Sequence, residues 1–225
     1  MKSIDAARTA RFLSDLDRLD ARQLKVQREI SSGFRVNSPS DSPEQMIDIL
    51  QLRSDVERAS SVDQNLGRVE SEVNTAEATV RVATQLLERA RTLAAQTATD
   101  TATNRPGIAL EVKQIHQQLV DITRTMSEGR FVFSGDSDSA PSYSVDWTVP
   151  GGMTRLQVTT NTRQVLDVNG TSFSVARTAG QIFDTREVDD SFSTNNVFNA
   201  VYQLGVALES DDVTAVRSAA ALINV

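Results

Sequence analysis

Between residues 62 and 94 the apolar side chains keep strict step. Val62, Leu66, Val69, Val73, Ala76, Val80, Ala83, Leu87, Ala90 and Ala94 alternate by four and three residues without a break. This is the a/d seam of a heptad repeat, and it demands a long helix packed along one narrow stripe. Upstream, Leu52, Val56 and Ala59 join the seam through a single three-residue step, a stammer that overwinds a supercoil locally. Gly67 beside the seam costs about 1 kcal/mol relative to alanine. The helical pattern covers 44–99, roughly 80 Å at 1.5 Å per residue. A compact enzyme domain has no need of such an element; a rod does.

Two further helices flank this one. Over 1–30, Phe12, Leu16, Leu19, Val26 and Ile30 form one stripe that Gln23 interrupts. Residues 1–11 offer mostly alanines, so fraying is expected there. A connector, SSGFRVNSPSDSP at 31–43, separates this helix from the long one, with Gly33 suited to a helix C-terminus and two prolines setting a fixed kink. After a polar break at 99–104, Pro106 fits the first turn of a third helix. There Ile108, Val112, Ile115, Leu119, Ile122 and Met126 again step by four and three, and Gly129 is expected to close it. Helices two and three are predicted to form an antiparallel hairpin over 44–135, burying their seams against each other and against helix one.

At Arg130 the pattern changes. Phe131-Val132-Phe133 reads as a short strand, and 143–149, 155–160, 165–168 and 172–176 are short β-like runs. Pro150-Gly151-Gly152 and Asn169-Gly170 punctuate them, the latter a strong hairpin signal. This predicts a small β domain at 136–178. Helical periodicity returns over 195–209 with Phe198, Val201, Leu204 and Leu208 inward. Ser210-Asp211-Asp212 then offer caps for a last stretch carrying Val213, Val216, Ala220 and Ile223, within a return segment at 179–225. The expected fold class is mostly α with a small β insert: an elongated antiparallel helical bundle or coiled-coil rod plus a short-stranded all-β outer domain.

Composition narrows the function. Eight Phe, two Tyr and one Trp leave Ala, Val, Leu and Ile to build the core, which suits slender helix seams. A net charge of −7 with no basic patch argues against nucleic acid as partner. The absence of cysteine excludes disulfides and thiolate metal sites. The start, MKSIDAARTARFLSDLD, lacks the apolar core of a cleavable signal peptide, and no apolar run is long enough for a membrane span. An extracellular destination therefore requires export without a cleaved signal.

Candidate sites resolve to ordinary roles. His116 is the sole histidine, set among Gln114, Gln117 and Gln118, and is expected at an exposed rim; alone it makes neither a zinc site nor a triad. Asp136, Asp138, Asp189 and Asp190 lack the ligand spacing of a calcium loop and read as turn formers. No phosphate-binding glycine loop or nucleophile elbow occurs. Thr97, Thr99, Thr101 and Thr103 read as a frayed helix end. No catalytic residue, metal or cofactor is predicted.

The 31–43 segment resembles the bacterial flagellin family, in which a helix leads through an S-S-G-x-R-(I/V)-N-x-x-x-D loop into long axial helices. Gly33, Arg35, Asn37, Pro39, Asp41 and Pro43 match in order and spacing, and N-x-P-S-D-x-P is similar to the hook-associated branch. The FVFSGDSDSAPSY segment resembles the family's exit from the helical to the outer domain. The resemblance covers 5–135 strongly and 180–225 weakly. It implies a non-enzymatic structural subunit at the junction between hook and filament, outside the cell on the flagellum. Implied partners are neighbouring copies in an axial ring, another hook-associated protein on the hook side, flagellin on the filament side, and an export chaperone, with no nucleic acid or membrane. Arg35, Asn37, Pro39 and Asp41 are expected to brace the loop or contact neighbouring subunits. The family's remaining C-terminal helices do not follow 225, which predicts a folded monomer with a partly exposed seam. A filament-forming flagellin and an unrelated coiled-coil adaptor or phage structural protein are the alternatives.

Overall fold

Strict helical periodicity yields long helices wherever the apolar stripe is continuous. The computed structural model describes residues 2–36, 45–99, 104–159, 161–167, 170–175 and 177–223, with backbone alone for 2–7. The chain divides into two units, 1–60 and 61–225, each taken by itself.

In the first unit α1 spans Lys2–Ser32. It stops at Gly33, whose φ of 72° is open to glycine and whose N–H donates to the Glu29 carbonyl at 2.9 Å. The α1 stripe is uncovered: Phe12 is 64% and Ile30 78% exposed, with Leu16, Leu19 and Val26 also exposed. An apolar stripe requires some partner, but it does not specify which segment supplies one. Ile47, Leu50, Leu52 and Val56, at the start of the next helix, are exposed as well.

That helix, α2, runs unbroken over Met46–Thr97. Within the second unit its seam is covered unevenly, with Val69 buried. Val73 is exposed, whereas Ala83, Ala90 and Ala94 are buried in the core together with Leu93. Helix α3, Arg105–Ile122, carries Pro106 in its first turn and buries Ala109, Val112, Ile115, His116, Leu119 and Val120. An Arg89–Glu111 ion pair at 2.7 Å links the antiparallel arms. The arms are also tied at the turn. Buried Arg105 donates to the carbonyls of Thr97 (3.1 Å) and Thr99 (2.6 Å), and to Asp211 at 2.6 Å. A guanidinium at the C-terminus of α2 satisfies carbonyls that the helix leaves unpaired.

Helix α3 ends sooner than its period suggests. The Thr123 and Thr125 hydroxyls donate to the Val120 and Ile122 carbonyls at 2.6 and 2.7 Å. The chain then turns into a two-residue hairpin, β1 (Met126–Ser127) against β2 (Arg130–Phe131). Glu128 and Gly129, with φ of 49° and 80°, are its two central residues. Gly129 therefore serves a hairpin and does not cap a helix, and Met126 is exposed. Hydroxyl-to-backbone bonding outcompetes the last step of the heptad here.

Two more antiparallel pairs follow. Strand β3 (Tyr143–Val145) pairs with β4 (Met153–Arg155), Ser144 opposite Thr154; β5 (Gln164–Leu166) pairs with β6 (Ser172–Ser174), Val165 opposite Phe173. The strands are shorter than the β-like runs in the sequence. A short helix, α4 (Ala179–Ile182), starts with a reciprocal box between Thr178 and Gln181. Helix α5 (Val197–Glu209) starts at Asn196, and α6 (Val213–Ile223) starts at Asp212, which accepts the N–H groups of Thr214 and Ala215. Helix α5 lies close against both α3 and α6. Gly205 of α5 leaves room for Trp147, since a Cβ there would sit 3.0 Å from its ring. Phe133, Tyr143 and Met153 of the β region share one core with Leu119, Phe198, Leu204, Leu208 and Val216. The fold is mostly helical with a small β region.

Candidate functional site

Of the residues expected to brace the connector, Arg35 is exposed, two positions beyond Gly33. Asn37, Pro39 and Asp41 lie outside the described residues. The surface chemistry of 1–60 is set instead by its uncovered apolar residues: Phe12, Leu16, Leu19, Val26 and Ile30 on α1, and Leu52 and Val56 on α2. Leaving so many large apolar side chains in water is unfavourable for an isolated chain and suits an element that packs against other helices.

In the second unit the polar chemistry converges on Asp184, which is almost wholly buried. Its Oδ1 accepts from Arg186 Nε at 2.9 Å and Asn196 Nδ2 at 2.7 Å. Its Oδ2 accepts from the Tyr143 hydroxyl and Arg155 Nε, both at 3.2 Å. Exposed Asp190 completes the cluster by pairing with Arg155 at 3.2 Å. Burial, reinforced by the negative Asp184, pushes the Tyr143 phenol well above its ordinary pKa, so it remains a donor. Every donor comes from a different segment: β3, β4, the stretch after α4 and the start of α5. Asn196 also accepts the Asn199 N–H at 2.8 Å, so one side chain both caps α5 and binds Asp184. This arrangement fastens the β region to the helices.

Three further aspartates act as turn or ion-pair groups. Asp138 accepts from Arg130 at 3.2 Å and lies 3.6 Å from Arg163, which also pairs with Glu72 of α2. The Asp189 carboxylate accepts the backbone N–H and hydroxyl of Ser191, which lowers its pKa. Asp146 is lowered likewise by the Thr148 hydroxyl and N–H. Among the described residues no group of three His, Asp or Glu could hold a metal.

His116 departs from expectation. It is fully buried, with Nε2 2.9 Å from the Gly151 carbonyl and its ring edge-on to Trp147 at 4.9 Å between centroids. Burial lowers its pKa to about 4, so it is neutral near pH 7. The flanking glutamines suggested a wet face. Residues 115 and 116 are adjacent on the helix, however, and both are covered here, Ile115 within the helical core and His116 by the 146–152 turn. Sequence reasoning also missed Arg105, Asp184 and Asn196. Only Asn196 carried a local signal, an asparagine directly before a helical run.

A family model described as the bacterial flagellin N-terminal helical region matches residues 7–138. No curated protein matches. Among solved structures, a flagellar hook-associated protein from Vibrio parahaemolyticus is similar, with a TM-score of 0.63 at 19% identity over 83% of this chain and 85% of that one. Bacillus cereus FlgL is similar with a TM-score of 0.60, also at 19% identity, over 79% of this chain and 80% of that one. These two likenesses establish a shared fold. The matched stretch takes in α1, the connector, all of α2 and α3 and the first hairpin, more than half of the sequence, and so the chain belongs to the bacterial flagellin family.

Proposed function

We propose that this chain is a structural subunit of the bacterial flagellum that joins the hook to the filament. The observation that carries the reading is the likeness in fold to two hook-associated structures over about four-fifths of each chain. The uncovered apolar stripes of α1 and early α2 support an assembly role, since packing against neighbouring helices would remove them from water. In this reading copies of the chain form an axial ring, bounded by another hook-associated protein on the hook side and flagellin on the filament side. The flagellar export apparatus carries the chain to the outside of the cell, and an export chaperone is a further partner in this reading. The work is mechanical and not enzymatic. No described helix is long and apolar enough to cross a membrane.

Arg35, Asn37, Pro39 and Asp41 brace the connector or touch the next subunit in this proposal. Arginine and aspartate supply directional bonds, while proline limits the conformational freedom lost on docking.

Immunogold electron microscopy of flagella from the source cells, with antibody against residues 136–178, tests the reading. A single band at the hook–filament boundary is expected. Label along the whole filament would make the chain a filament subunit, and unlabelled flagella would make it a coiled-coil adaptor or phage structural protein. The Arg35→Ala, Asp41→Ala double variant is expected to lose the band while keeping its helical circular dichroism. An undiminished band in that variant would remove both residues from the contact.

A further inference from the structure

The turn at 146–152 meets the helices through His116 of α3 and through Tyr202 and Gly205 of α5, and His116 makes its hydrogen bond to the turn backbone. Its internal bonds are ordinary: Asp146 N–H donates to the Gly152 carbonyl and Gly152 N–H to the Val149 carbonyl, each at 3.0 Å. Its contacts outward gather around His116. Nε2 of the imidazole lies 2.9 Å from the Gly151 oxygen. At Gly152, with φ of 70°, a Cβ would approach both His116 Cε1 and Tyr202 Cδ2 to 2.8 Å, so the turn backbone rests directly on the two rings. Trp147 packs edge-on to His116 and 5.1 Å from the Tyr202 ring centroid.

The Gly151 carbonyl can only accept, so Nε2 carries the proton and Nδ1 is a bare lone pair. Nδ1 is buried with no hydrogen-bond partner among the described residues. A second proton would place an N–H and a full charge where nothing accepts them. The charged and titratable groups around the site offer no relief. On α3, Lys113 lies over the Trp147 ring at 5.0 Å, adding positive charge, and is paired with Glu209 of α5. Asp146 of the turn is occupied by Thr148 and Thr154. Tyr202 of α5 presents its ring. Arg186 stacks on Phe192, the ring that lies against Gly151.

We infer that His116 is an acid-operated latch: protonation of its buried imidazole unseats the 146–152 turn and uncovers Trp147, while α3, α5 and α6 stay folded. The separation is physical. The apolar contacts among Val112, Leu119, Val201, Leu204, Leu208 and Val216 are made between helices, and none of these residues lies in the turn. The sign follows from linkage. An uncovered imidazole binds its proton below about pH 6.5, whereas the covered one does so only near 4. The open turn therefore gains population as pH falls from 6.5 to 4, by up to about 300-fold, and levels off below. Closure is fully favoured at pH 7.

The sole tryptophan and sole histidine are in contact, which makes the latch directly readable. Trp147 emission and helical circular dichroism of the full chain are followed together from pH 7.5 to 3.5. The expected result is a red shift of emission between pH 6.5 and 4 with the helical signal unchanged. His116→Gln, which keeps a donor for Gly151 and cannot be protonated, is expected to abolish the shift; Asp146→Asn is expected to retain it. Constant emission, simultaneous loss of emission and helicity, or an identical shift in His116→Gln would each overturn the latch. If His116→Gln already has shifted emission at pH 7.5, the wild-type imidazole C–H resonance decides. Titration coincident with the emission change supports the latch, and titration at a different pH overturns it.

Discussion

A carboxylate removed from water is tolerated only when donors replace its hydration, and Asp184 has four of them from four separate segments. Deleting it strands the Tyr143 hydroxyl and leaves Arg155 and Arg186 with only the exposed Asp190 as counter-ion. Asp184→Ala is expected to destabilise the second unit by about 3 kcal/mol, whereas Tyr143→Phe, which removes one neutral donor, is expected to cost about 1 kcal/mol. Urea unfolding at pH 7 measures both; equal midpoints for Asp184→Ala and wild type would show that the cluster does not hold the β region. At this scale the sequence was least informative. Asp184 stands in an unremarkable Phe183-Asp184-Thr185-Arg186 run, and its partners lie up to 41 residues away in the chain. The same holds for Arg105, which reaches across 106 residues to Asp211. Adjacent letters cannot report such pairings. His116 follows the same rule: its cover comes from a turn 35 residues downstream.

Elements were far more legible, because each is encoded by its own neighbours. The unbroken heptad announced α2, Pro106 marked the start of α3, and the aspartates at 211 and 212 marked the start of α6. The end of α3 was harder to read, since Met126 kept the period while Thr123 and Thr125 were already bonding to the backbone. Gly67 offers a test of how much α2 depends on its own propensity. It lies inside the helix, and a Cβ there would meet open space. Gly67→Ala is expected to raise stability by roughly 0.5–1 kcal/mol through reduced backbone freedom of the unfolded chain and better helix propensity. A higher thermal midpoint with unchanged helicity checks this; a lower one would mean that the glycine has a role beyond its own element.

For the whole molecule the decisive contrast is between its two units. Residues 61–225 enclose the buried cluster, while 1–60 present their large apolar residues to solvent. Local stability follows buried contact, so the two should open independently. Limited trypsin digestion of the isolated chain is expected to remove sites within 8–58 first and leave a product beginning near residue 59 or 69 that retains the His116–Trp147 contact. Mass spectrometry of the early products reads the outcome. Equal survival of 1–60 and 61–225 would show that the α1 stripe is protected in solution.

What the sequence determined by itself is the set of local facts: a helix of about 52 residues, its two helical neighbours, the turn-rich β stretch and the 31–43 motif of the flagellin family. These follow from periodicity, caps and turn chemistry, which act between residues a few positions apart. Tertiary structure decided which surfaces are covered. The α2 seam is buried at Ala83, Ala90 and Ala94 and bare at Leu52 and Val56 although the heptad stripe includes them all, and His116 is buried although glutamines flank it at 114, 117 and 118. Burial is a property of what arrives from elsewhere in the chain, or from another chain, and no stripe of residues carries that information within itself.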